Sequence, residues 1–229
     1  MSSVFIDASV TSPAVAAAGA TRQARGTRTG EVFTMDWIQA AVAEGQVFGA
    51  QTGTGTSPTT TNAAYAVAEQ DFYVYVPAGT LIIPVHMGLE FEDTGTALAS
   101  DVFAAYSLNG DSAVTATALT AYNYKTGASP NTGCTVSAVV TAAGTTHLGG
   151  DDYLEFWRPY AGFGEDAFNG STGWVNNMIH GVQWSAKQFP APMIGSAGSA
   201  GALSIYMSGQ AGIGFIQAVW AEYPVTRWS

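Results

Sequence analysis

At 229 residues the chain has the length of one large all-β domain, with enough material for a sizeable core and no need of a second domain. Apolar residues make up 47% and charged residues only 10%, far below the roughly 25% usual in soluble domains, so Gly, Ala, Ser and Thr must cover much of the surface. Seventeen acidic residues against seven basic ones give a net charge of −10, which repels phosphate and argues against general nucleic-acid binding. Cys134 is the single cysteine, which excludes an intrachain disulfide, a redox pair and Cys-rich metal spacing.

Met1 to Ala20 is uncharged except for Asp7 and is broken by Pro13, so no signal peptide is predicted. Residues 1–30 read as an extended arm, because Ala14 to Ala20 is too short and uncapped for a helix. Arg22, Arg25 and Arg28 fall three residues apart in this arm without apolar periodicity. They suit docking on a neighbouring protein, or contact with nucleic acid or lipid headgroups.

From Glu31 onward the pattern is β. Strands are predicted at Glu31 to Ala40 and Gly45 to Thr52, and the Thr/Gly-rich Gly53 to Asn62 must form a surface loop. Asp71 to Pro77 carries apolar groups on both faces, as a strand between two layers does. The turn Pro77-Ala78-Gly79-Thr80 and the strand Leu81 to Glu92 follow, and together they form the strongest hairpin signal. Pro84 marks an edge or a bulge in that second strand.

Further strands are predicted at Val102 to Leu108, Ala118 to Lys125, Cys134 to Thr141 and Tyr153 to Trp157. Arg158 to Asn177 is a Gly-rich connection too aromatic to be merely solvated, since it holds Phe163, Phe168 and Trp174. Met178 to Phe189, Ala202 to Ser208 and Ile213 to Tyr223 complete the set. No amphipathic helix is predicted. About ten short strands separated by turn residues predict an all-β antiparallel sandwich or barrel, of which the single jelly roll is the commonest form near this size. The expected organisation is an arm over 1–30 and one jelly-roll domain over 31–229.

Motifs for chemistry are absent. His86, His147 and His180 are far apart in sequence and show no zinc spacing, and no Gly-x-Ser-x-Gly elbow or phosphate-binding loop occurs. Cys134 sits in a predicted strand without an adjacent base and reads as a core thiol. Glu90 and Glu92 share one face of a strand, where solvent at a sheet edge accounts for them. Asp151 and Asp152, after Gly149-Gly150, resemble half of a loop-borne calcium site but also have ordinary turn composition. No cofactor, no small-molecule substrate and no enzymatic activity are expected. The aromatics from Trp157 to Trp174 read first as packing or interface residues, and second as a sugar-stacking platform.

The small-residue arm bearing Arg22, Arg25 and Arg28, followed by a strand-rich body that ends in Ile213 to Tyr223, resembles the single jelly-roll capsid proteins of viruses, phages included. The resemblance is architectural and covers residues 30 to 225. It implies a virion protein made in the host cytoplasm, with copies of itself and other capsid proteins as partners. The arm, with Phe163, Phe168 and Trp174, would make the assembly contacts. Three arginines are few for direct packaging of nucleic acid, and fit better a shell over an internal membrane or a layer outside another capsid. The alternative is a capsid decoration protein or a receptor- or carbohydrate-binding sandwich of a virion.

Overall fold

The computed structural model describes residues 6–7, 24–25, 35–93, 99–126, 131–142, 153–162, 181–208 and 212–227. In the arm, β1 (Ile6–Asp7) and β2 (Ala24–Arg25) pair in parallel, with Asp7 opposite Arg25. Then come α1 (Trp37–Glu44), β3 (Val47–Gln51), β4 (Thr59–Thr60), β5 (Phe72–Val76), β6 (Thr80–Asp93) and β7 (Ala99–Ser107). They are followed by β8 (Thr115–Leu119), β9 (Tyr122–Asn123), β10 (Thr135–Ala142), β11 (Tyr153–Trp157) and β12 (Tyr160–Gly162). β13 (Gly181–Ser185), β14 (Gly201–Ser208) and β15 (Ile213–Pro224) complete the sheets.

Two antiparallel sheets pack as a sandwich. One has the order β11-β7-β14-β5-β10-β8, with β12 also on β7; the other has β13-β6-β15-β3-β9, with β4 on β15. The pairing has a simple rule once the arm strands β1 and β2, the short β4, β8, β9 and β12, and the eight-residue β10 between β5 and β8 are set aside. Of the eight strands that remain, the first pairs with the last (β3 with β15) and the second with the seventh (β5 with β14). The third pairs with the sixth (β6 with β13) and the fourth with the fifth (β7 with β11). The chain is thus a long antiparallel ribbon rolled so that successive rungs alternate between the two sheets.

The core lies between the inner faces. β5, β6, β14 and β15 supply Phe72, Val74, Ile82, Met87, Leu89, Leu203, Ile205, Ile216 and Trp220, all essentially buried. Cys134 joins this core, as its sequence context predicts. β5 is covered on both sides, because Tyr73 is also buried and packs with Val140 and Ala202 on the outer face. Trp157 packs against the core as a partly buried residue and so does not stand as a free stacking platform.

Three expectations are corrected. In the described part of the predicted strand Glu31 to Ala40, the chain enters the helix α1 at Trp37, where Asp36 accepts a hydrogen bond from the Ile38 N–H at 3.3 Å. Gly45, at φ 76°, ends the helix in the left-handed conformation, its N–H bonding to Val42 O while the Gln46 N–H reaches Ala41 O. Ile38 and Ala41, one turn apart, bury against Val47, Val85, Val219 and Tyr223 on the outer face of the sheet.

The predicted hairpin is likewise not formed. β5 pairs with β10 and β14 while β6 pairs with β13 and β15, so the Pro77 to Thr80 turn carries the chain from one sheet to the other. Pro84, expected at an edge or a bulge, meets the second of these in a central strand. It sits at a bulge, where the β6–β15 register shifts between Val219 and Trp220, and β13 no longer pairs with β6 beyond His86. The predicted strand Ala118 to Lys125 is divided, since β8 pairs with β10 and β9 with β3 in the opposite sheet.

Candidate functional site

Among the clefts formed by the described residues, an apolar one and a polar one open on the outer face of the β13-β6-β15-β3 sheet. The apolar cleft, of about 450 Å³, runs beside α1 and is lined by Trp37, Ala40, Ile83, Ala191, Met193 and Tyr223. Trp37 and Met193 remain 43% and 47% exposed there, and Met35 and Phe189 are exposed as well. The helix stands over the sheet because Ile38 and Ala41 anchor it, which leaves Trp37 on its free side. Lys187 pairs with the Asp36 cap at 3.2 Å, tying the 186–194 segment to the start of the helix. The Ile38 N–H and Lys187 hold the Asp36 carboxyl below its usual range.

The polar cleft is a trough of about 440 Å³ farther along the same face. Strand register builds it. Gln183 of β13 lies opposite Gly88 of β6, Gly88 opposite Gln217 of β15, and Gln217 opposite Gln51 of β3. One rung across four strands therefore reads Gln, Gly, Gln, Gln. His86 and Glu90 follow Gly88 at spacing two on the same face of β6, and Phe215 lies opposite Glu90. The Gln217 side-chain N–H donates to the Tyr122 hydroxyl at 3.3 Å, which fixes one wall. Burial holds the His86 imidazole below its usual value, against a hydrogen bond with the Trp184 backbone that favours the charged form.

The outer face of the other sheet is closed by aromatic packing. Phe103 and Tyr206 stack with ring centroids 5.0 Å apart, Tyr65 leans on both, and the Arg158 guanidinium lies 4.7 Å from the centre of Phe103. Arg158 also grips Glu155 through two hydrogen bonds, from Nε at 2.7 Å and from a terminal nitrogen at 2.5 Å. The start of the predicted aromatic connection thus does pack, and it includes a strand, β12, that the sequence reading missed.

Arg22, Arg28, Phe163, Phe168, Trp174, Asp151, Asp152, His147 and His180 lie outside the described residues, as does the Arg25 side chain. The Glu92 side chain does too, while Glu90 lines the trough. Among the described residues no group of three or more His, Cys, Asp or Glu is placed to hold a metal ion, and no helix is long and apolar enough to cross a membrane. Neither cleft was expected from sequence. A local signal exists only for the trough, where Gly88 interrupts an otherwise strong strand pattern.

No protein-family model matches the chain, no curated protein matches it in sequence, and no solved structure matches it.

Proposed function

We propose that this chain is a non-enzymatic, single jelly-roll structural subunit of a viral shell, which assembles with copies of itself and with other capsid proteins. The observation that carries the reading is the strand pairing of first with last, second with seventh, third with sixth and fourth with fifth across two sheets. Such pairing supports a jelly-roll reading of the sandwich, an architecture used by capsid proteins as well as by lectins and cupins.

Two further features favour a shell within that group. The charged fraction of 10% gives a surface suited to packing against protein. The cleft beside α1 exposes Trp37 and Met193 together, and large exposed apolar side chains clustered on a surface mark protein–protein contacts. The occupant proposed for it is another copy of the chain. Arg22, Arg25 and Arg28 of the arm would meet an internal membrane or nucleic acid.

Sizing by light scattering and electron microscopy tests the reading. Symmetric particles many times larger than one chain are expected on concentration or on addition of other virion components. A species that stays monomeric under all these conditions overturns it.

A further inference from the structure

Gly88 is the centre of this inference. It lies inside the central strand β6, where a glycine weakens the strand relative to alanine and has no side chain to pack. No backbone requirement keeps it there, since its φ is not in the left-handed region. Sterics do not demand it either: a Cβ at this position would meet only the Nε2 and Cε1 atoms of the His86 ring, the nearer at 3.3 Å. By contrast, the neighbouring Gly181 is sterically fixed, because a Cβ there would come within 2.8 Å of the Leu89 carbonyl oxygen. What Gly88 uniquely provides is the empty space above it.

That space has defined walls. Gln183 and Gln217 flank Gly88 on the two adjacent strands, so they stand two strand spacings apart, roughly 10 Å. Along β6 the trough is bounded by His86 and by Glu90, with the ring of Phe215 beside the latter. Each amide offers donors and an acceptor, Glu90 offers acceptors, and Phe215 offers an apolar face. Among the described residues no lysine or arginine lines the trough, which disfavours phosphates and carboxylates as ligands. An added peptide strand could join only the outer edge of β13, at the rim of the trough, because the floor over Gly88 is mid-sheet with its backbone groups already paired. Recognition must run through side chains, toward a ligand rich in hydroxyl groups with apolar C–H faces.

We infer that the trough over Gly88 is a binding site for an uncharged saccharide, whose hydroxyls bond to Gln183, Gln217 and Glu90 and whose ring lies against Phe215. The His86 imidazole closes one end; with its N–H given to the Trp184 backbone, its other nitrogen is left as an acceptor. This site does not depend on the shell reading, since it uses neither the arm nor the cleft beside α1.

The test is calorimetric and NMR titration of the intact protein with uncharged oligosaccharides of glucose, galactose, mannose and N-acetylglucosamine. At least one is expected to bind with millimolar affinity or better and to shift the side-chain amide signals of Gln183 and Gln217. Gly88→Val fills the trough with a residue that suits a strand, and is expected to abolish binding while leaving particle formation unchanged. The double variant Gln183→Ala/Gln217→Ala, altered only at exposed or half-exposed positions, decides the matter if Gly88→Val misfolds. Its affinity should fall about tenfold or more, the loss of one or two hydrogen bonds. Absence of binding to the whole panel overturns the inference, and so does binding that survives the Gln183→Ala/Gln217→Ala change.

Discussion

The Oδ2 atom of Asp71 accepts a hydrogen bond from the backbone N–H of Met207 at 2.7 Å, and so supplies the ladder partner that β14 lacks beyond the end of β5. The last backbone pairing between those strands is Asp71 N–H to Ile205 O, at 3.0 Å. The other carboxyl oxygen accepts from the Asn62 N–H at 2.7 Å, which ties the 61–70 segment to the sheet. A buried side chain thus finishes a strand edge inside the sandwich.

Burial is the largest influence on this carboxyl and raises its pKa to about 7, against the lowering effect of the Asn62 and Met207 N–H groups; Glu69 adds a smaller upward push. The folded state therefore keeps a proton that the unfolded chain releases near pH 4. The resulting stabilisation is complete below about pH 4 and is lost as pH rises through about 7. Urea midpoints measured from pH 4 to 8 should fall across that window. Asp71→Asn should flatten the trend and lower stability by about 1–3 kcal/mol throughout, because its amide nitrogen cannot accept from one of the two buried N–H groups. A slope unchanged in the Asn variant would assign the pH dependence to another group.

The helix α1 depends on its two ends. Asp36→Ala removes both the acceptor for the Ile38 N–H and the partner of Lys187, and should move the unfolding midpoint to lower denaturant. Gly45→Ala places a side chain at φ 76° and should cost about 1 kcal/mol. Chemical denaturation of the two variants checks both. Equal stability of Asp36→Ala and the parent chain would show that the sheet alone holds the helix in place.

Much of the sandwich was legible in local sequence, because strands such as β5, β11 and β15 concentrate aromatic and aliphatic residues between turn residues. The hairpin was misread because Pro77-Ala78-Gly79-Thr80 suits either a hairpin turn or a crossing between sheets. The choice between them is made by β14 and β15, more than a hundred residues downstream, which capture β5 and β6 separately. The helix was legible in principle, since Asp36 and Gly45 bracket eight residues with an N-cap and a C-terminal glycine. The aromatic and β-branched residues before it drew the strand reading too far. The trough was not legible, because Gln183, Gly88, Gln217 and Gln51 become neighbours only through the register of four strands.

Cys134 should be inert in the native protein. It is buried, and burial together with the nearby Glu222 carboxylate pushes its thiol well above the usual range. Glu222 holds the preceding turn in place, accepting from the Thr132 hydroxyl at 2.5 Å and from the Gly133 N–H at 2.7 Å. Iodoacetamide at pH 8 should label the folded chain only at the rate of its opening, and label it at once in denaturant. Glu222→Ala should release the 131–134 segment and speed labelling of the native state. Rapid native labelling of the parent chain would contradict the burial of this thiol.

The cleft beside α1 separates folding from assembly more cleanly than any other feature. Trp37 and Met193 are about half exposed and belong to no buried cluster, so replacing them removes little of the core. Trp37→Ser and Met193→Ser should each change stability by only about 0.5 kcal/mol, as surface substitutions do. In an interface the same two side chains would be buried, and loss of a central aromatic anchor commonly costs about 2 kcal/mol or more. Because each subunit repeats the contact around a shell, that loss is multiplied, and particles should fail to form or should form only at much higher concentration. Denaturation curves and particle sizing on the same samples check both halves. If Trp37→Ser lowers stability as much as it impairs assembly, Trp37 belongs to the fold rather than to a contact between copies. If neither quantity changes, the cleft faces no partner and the assembly contacts lie elsewhere on the chain.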